Sequence, residues 1–167
     1  MGADIHLYLE RKMKSGNWAC VSNFNTIIHG EAFDGRGANG SDWWFKLGNR
    51  NYNLFGALAS VRGDGLEPRG LPDDLSDITQ DEADSWVHDA HSHSWMYADE
   101  FADIYHEVMF GDEEIEEDNP MHRYYQLTLK EGKDHAVWHF VNRMCNPMCI
   151  EDEDKPHDFR FVFWFDN

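Results

Sequence analysis

The block Asp89-Ala90-His91-Ser92-His93-Ser94-Trp95 and the opening Gly2-Ala3-Asp4-Ile5-His6 set carboxylates and imidazoles at short, regular spacing. On an extended backbone, residues two apart point to the same side. Asp4 and His6 then share one strand face, and His91 and His93 share another. Brought together, these four supply the donor set that holds Zn²⁺, Mn²⁺ or Fe²⁺, so a divalent ion is the expected cofactor. The spacers Ala90 and Ser92 are small and let the chain turn tightly round an ion. Asp89 and Asp166 are the further carboxylates, suited to orienting a ligand or acting as a base. Each pattern also has a purely structural reading. Asp4 and His6 suit the solvent face of an edge strand, and the serines and aspartate of the central block suit a loop that caps the next helix. His88 and His106 fall in helical surroundings that favour the surface.

Arginines form a second constellation. Arg50, Arg62 and Arg69 lie within twenty residues of one another in a chain poor in bases. A guanidinium fork matches phosphate or carboxylate, so these three are the expected holders of an anionic group. Tyr52 and Trp95, with Trp43 and Trp44, can stack on a ring. The alternative is that the arginines pair internally with abundant acids such as Asp73 and Asp74, and that the aromatics fill the core.

The 167 residues carry 32 acidic and 14 basic side chains, a net charge of −18. That field repels nucleic-acid phosphates at long range, which argues against general nucleic-acid binding. It leaves open a small anionic ligand or nucleotide held by local arginines, or a basic partner protein met by the acidic runs Asp112–Asp118 and Glu151–Asp154. Such runs are also ordinary solvated loops. No apolar stretch has the length of a membrane span, and Asp4 and His6 stand where the apolar part of a signal peptide would lie. Cys20, Cys145 and Cys149 form no even framework, which fits a reducing cytoplasm. Cysteine catalysis has no defined base partner, and no phosphate loop, dinucleotide fingerprint or His-Glu-x-x-His helix occurs.

The elements that must position these residues are legible in the periodicity. Residues 4–10 alternate, Lys14-Ser15-Gly16-Asn17 marks a turn, and extension resumes at 18–21, which predicts a hairpin. Helical spacing predicts helices over 52–61, 77–88 (capped by Ser76), 97–109 and 133–144. The Asp89–Ser94 block then falls in a break between helices. Residues 30–49 read as a long loop, and 124–129 are too short to assign. The ending Phe159-Arg160-Phe161-Val162-Phe163-Trp164-Phe165-Asp166-Asn167 predicts a strand in the middle of a sheet, with the phenylalanines on one face and Arg160, Val162, Trp164 and Asp166 on the other. The expected fold is α+β: one domain over 1–167, a small and mostly antiparallel sheet including both termini, and three or four helices packed on one side.

Gly-Ala-Asp-Ile-His at the start, Arg50-Asn51-Tyr52-Asn53-Leu54-Phe55, Arg69-Gly70-Leu71-Pro72, His91-Ser92-His93-Ser94-Trp95 and Phe163-Trp164-Phe165-Asp166-Asn167 together resemble a family of small bacteriophage and bacterial proteins. The blocks span nearly the whole chain, and residues 111–158 look like an insertion peculiar to this member. The resemblance implies a phage or prophage origin and a host-cytoplasmic location. It transfers no activity and no catalytic residue. From the residues themselves, the leading expectation is a metal-dependent hydrolase of a small phosphorylated or nucleotide-like substrate. The alternatives are a protein that sequesters a nucleotide messenger or metabolite, and an acidic inhibitor that binds a host protein.

Overall fold

A strand with bulky apolar groups on both faces is stable only where both faces are covered. In the computed structural model, which describes residues 2–23, 50–110 and 154–167, the C-terminal strand β4 (Phe159–Asp166) is such a strand. It lies between β1 (Asp4–Lys12) and β3 (His91–Tyr97), and β2 (Trp18–Asn23) pairs with the far side of β1. The order is β2-β1-β4-β3 and every pairing is antiparallel. Three α-helices, α1 (Tyr52–Ala59), α2 (Asp77–Ser85) and α3 (Ala98–Phe110), and a 3₁₀ turn at Pro156–Asp158 complete the described elements. The fold is therefore α+β, with strands from both ends of the chain side by side at the centre of a small antiparallel sheet. The predicted loop at 30–49, the ambiguous stretch 124–129, the helix at 133–144, Cys145, Cys149 and the acidic residues 112–118 and 151–153 lie outside the described residues.

The two sheet faces differ in what covers them. Ile5, Leu7 and Leu9 join Phe159, Phe161, Phe163, Phe165 and Met96 in one buried cluster. Helix α1 adds Leu54, Phe55 and Leu58 to it, and α3 adds Phe101, Ala102 and Tyr105. Each buried phenylalanine is worth about 1.5–3 kcal/mol relative to exposure, so this layer carries most of the apolar drive for folding. The opposite face presents Tyr8, Val162 and Trp164, against which pack Ala83 of α2 and the flanking Leu71, Leu75 and Trp86. The expectation that the helices share one side is thus corrected. Tyr8, Val162 and Trp164 are too apolar to face water, and α2 with the chain before and after it covers them.

Local chemistry sets the helix ends. The Asn51 side chain accepts from Leu54 N at 3.2 Å to start α1, and Ser60, left-handed at φ 53, closes it just before the predicted end at 61. Ser76 caps α2, as its spacing predicts. Glu100 reaches back to accept from Tyr97 N at 2.9 Å at the start of α3, one half of a capping box.

A polar clamp fixes α2 to the sheet. Glu10 and Arg160 sit opposite each other on β1 and β4, 0% and 3% exposed. Arg160 Nε donates to Glu10 Oε2 at 2.8 Å, and its Nη1 donates to Asp74 Oδ1 at 2.6 Å. Glu10 Oε1 accepts from both N and Oγ of Ser76, at 2.9 and 2.6 Å. Trp18 stacks 4.0 Å beneath the Arg160 guanidinium and donates its Nε1 to Asp74 Oδ2 at 3.0 Å. The hydrogen bond from Arg160 holds the Asp74 carboxyl below the usual carboxylate range. A folded-state pKa depressed below the unfolded value of about 3.9 contributes stability at neutral pH that is lost as pH falls through the folded value. Solvent screens this exposed group, so the effect is modest. Asp74→Asn is therefore expected to lower the urea midpoint at pH 7 and to flatten its fall below about pH 4. An acid limb as steep as the wild type's rejects that assignment.

Among the described residues, no helix is long and apolar enough to cross a membrane.

Candidate functional site

Register places the Asp/His residues. Asp4 lies opposite Asp166, His6 opposite Trp164, and His91 opposite Phe165. The start of β1, the end of β4 and the start of β3 therefore meet at one end of the sheet. His6 is only 2% exposed, so the solvent-face reading fails for it, while the Asp4 side chain stays 26% exposed.

At this end His6 Nε2 stands 3.3 Å from Asp166 Oδ2, and the other Asp166 oxygen accepts from Asp4 N at 3.3 Å. The His6 ring lies 4.2 Å from the Trp86 ring and runs nearly parallel to Trp164, 10° between planes at 5.8 Å. Arg50 grips the Asp4 carboxylate with both arms of its fork, Nε to Oδ1 at 2.8 Å and Nη2 to Oδ2 at 2.9 Å. That pairing raises the Arg50 pKa, through the Asp4 hydrogen bond first. The site is thus a carboxylate–imidazole pair walled by two indoles, with a second carboxylate and a guanidinium at its mouth.

The central histidines sit differently from the expectation. Residues 91–97 lie between two helices, as expected, but form a strand there and not a loop. Its pairing with β4 shifts register between His91 and Ser94, and Ser92 takes a left-handed φ of 53. One extra residue in a strand turns over the alternation that follows it. His91 consequently stacks toward Phe165 (6.3 Å), while His93 lies against Trp164 (5.9 Å), on the side of the sheet that carries His6. The pair does not share a face, and sequence spacing alone cannot reveal a bulge. His93 and His6 flank Trp164 across three strands. Burial first, and then His91, hold the His93 pKa below the ordinary histidine value, which leaves a neutral imidazole at pH 7. His91 Nδ1 lies 3.0 Å from Ser92 Oγ. Two buried nitrogens, His91 Nε2 and Trp164 Nε1, have no hydrogen-bond partner among the described residues. A buried N–H left so costs about 1–3 kcal/mol, and the surroundings of Trp164 accordingly favour an acceptor atom. Asp89 lies in an exposed turn just before β3.

The arginines engage separate partners. Arg50 takes Asp4. Arg69 forms a two-armed pair with Glu100 at 2.9 and 2.7 Å and lies 5.3 Å over Trp95. Arg62 lies 5.4 Å over the Tyr52 ring. Internal pairing thus holds for Arg50 and Arg69, though with Asp4 and Glu100; Asp74 is taken by Arg160 and not by this group. Backbone contacts from Arg69 N to Ser94 Oγ (3.2 Å) and from Gly70 N to His93 O (2.9 Å) fasten the loop before α2 along β3. Trp164 and Trp86 are the site residues that chemistry-led reading missed. The only sequence signal for Trp164 was its place on the polar face of the last strand.

Among the described residues, no group of three or more His, Cys, Asp or Glu side chains is arranged to hold a metal ion. No protein-family model, curated protein or solved structure compared with this chain matches it.

Proposed function

We propose that this protein is a metal-dependent hydrolase of a small phosphorylated or nucleotide-like substrate, centred on His6 and Asp166. The observation that carries this reading is the 3.3 Å between His6 Nε2 and Asp166 Oδ2. A charge-assisted hydrogen bond between such groups is about 2.7–2.9 Å. Two donors that share one Zn²⁺ at about 2.0–2.1 Å in tetrahedral geometry stand about 3.4 Å apart. The spacing therefore suits a chelating pair better than an ion pair. Asp4, across from Asp166, is a further carboxylate, and neutral His93 stands beyond Trp164. A divalent ion held there would lower the pKa of a bound water and polarise the scissile bond. Buried His6, beside its carboxylate, would stay in one orientation through the reaction.

The test is direct. Protein purified with added MnCl₂ or ZnCl₂ is expected to carry about one equivalent of ion by elemental analysis and to melt lower after chelation, since an ion bound only to the folded state stabilises it. Less than about half an equivalent of any transition metal, with melting unchanged by chelator, overturns the metal reading. A sequestering protein would use the same walls without turnover. Recovery of an intact nucleotide after heat release, with no product formed, selects that reading instead.

A further inference from the structure

Two cavities adjoin at the β1–β2 turn, at the far end of β1 from His6. One, of about 340 Å³, is lined by residues 11–14 with Asp154 and Asp158. The other, of about 360 Å³, is lined by Asn17, Trp18 and residues 74–77. Gly16 lines both. Their charges are opposite. The first holds Arg11, Lys12 and Lys14 against two carboxylates that already have partners: Asp154 accepts from Arg11 at 2.8 Å, and Asp158 from Lys155 N at 2.8 Å. Lys12 and Lys14 are exposed. The second holds Asp74 and Asp77 with no Lys or Arg in its lining, and exposed Asp73 adjoins it. A large apolar side chain stands in water beside each: Met13 (42% exposed) in the first, and Ile78 (56%), next to Asp77 on α2. Apolar anchors among charged neighbours are the make-up of a protein–protein contact.

We propose that this end of the sheet is the contact surface of a symmetric dimer, its partner a second copy of this chain. A two-fold contact needs a surface that complements itself. A half-turn about an axis beside Gly16 sets each basic cavity on the other copy's acidic one, so both pairings form together. Lys12 and Lys14 then meet Asp73 and Asp77 of the partner subunit. The space at the turn is open: nothing lies within 4 Å of where a Cβ on Gly16 would stand, so two turns can approach closely. A basic protein would instead be drawn to the acidic remainder of the surface and repelled by the lysines. Salt separates the two partners. Chains of net charge −18 repel one another at long range. The Debye length falls from about 30 Å at 0.01 M to about 8 Å at 0.15 M, so added salt mutes that repulsion while the touching pairs persist. Self-association is therefore strengthened between these limits, whereas binding of a basic partner is weakened. The contact needs no ion at His6 and Asp166.

The experiment is sedimentation velocity of the full chain over about 0.01–1 mM, the range that brackets the weak affinity of a small contact. Wild type is expected to pass from monomer to dimer across that range at about 0.15 M salt, and to associate about tenfold more weakly at about 0.01 M. Two charge-reversed variants are compared: Lys12→Glu with Lys14→Glu, and Asp73→Lys with Asp77→Lys. Asp74 is left in place because Arg160 depends on it. Each variant alone is expected to stay monomeric, since its two patches then carry the same sign. An equimolar mixture is expected to form a mixed dimer at least as tight as the wild type's, because one variant's acidic patches meet the other's basic ones. Circular dichroism confirms that both variants are folded, and a variant that fails to fold is replaced by its single substitutions. Wild type that stays monomeric at about 1 mM overturns the proposal. So does a dimer that neither reversal weakens, or a mixture of folded variants that does not associate.

Discussion

Glu10→Ala is expected to destabilise the protein by about 3 kcal/mol or more, as removal of one member of a buried ion pair does. The reason lies in what remains behind. Arg160 is 3% exposed on the central strand, and its Nε has Glu10 as hydrogen-bond acceptor. Asp74 would still hold Nη1, but the Asp74 side chain is 66% exposed on a loop that Glu10 itself anchors through Ser76. Loss of the carboxylate therefore leaves a buried cation short of acceptors and loosens the entry to α2. In a domain of this size about 3 kcal/mol corresponds to a fall in Tm of roughly 6–12 °C. Urea denaturation at pH 7 reads the change directly, with an unaltered slope if the denatured state is unaffected. Replacing both partners, as in Glu10→Leu with Arg160→Met, is expected to recover most of the loss, since it leaves no orphaned charge. A loss below about 1 kcal/mol for Glu10→Ala would mean that Asp74 and the stacked Trp18 suffice for Arg160.

Particular residues explain how much of this was legible. The alternation of Phe159 to Phe165 identified a central strand, and the register of β1 against it follows from matching two apolar faces. Leu54, Phe55 and Leu58, and likewise Phe101 and Tyr105, fell at helical spacing and do face the sheet. Trp86, by contrast, belongs to the cover over Trp164, and no local pattern tells on which sheet face a helix will land. The convergence of Asp4, His6 and Asp166 was readable because both strands are strongly patterned and their ends must pair. The separation of His91 from His93 was not, because a single left-handed residue, Ser92, reverses the parity and a serine there does not announce a bulge. The partners of Arg50 and Arg69 were equally hidden. Composition favoured pairing, but which acid each fork meets depends on contacts across 46 and 31 residues of chain.

Asp166→Asn separates chemistry from folding at the proposed centre. The substitution keeps the shape of the side chain and the oxygen that accepts from Asp4 N. Asp166 lies at the last paired position of β4, 20% exposed, beyond the phenylalanine layer. The cost in stability is therefore expected to stay below about 1 kcal/mol, in line with substitutions outside the core. Under the proposed metal reading its effect on an ion would be large, because an amide oxygen is neutral and replaces the Asp166 carboxylate beside His6 Nε2. Metal affinity is expected to fall about 100-fold or more, since even residues that only support a ligand are worth about 10–100-fold. Turnover of a phosphoester would fall at least in parallel, because the bound water loses its Lewis acid. Calorimetric titration with MnCl₂, alongside urea denaturation of the same preparation, measures both. Equal Mn²⁺ affinity in Asp166→Asn and wild type would assign the carboxylate to holding His6 alone. A melt that collapses together with binding would instead make this end of the sheet a structural joint.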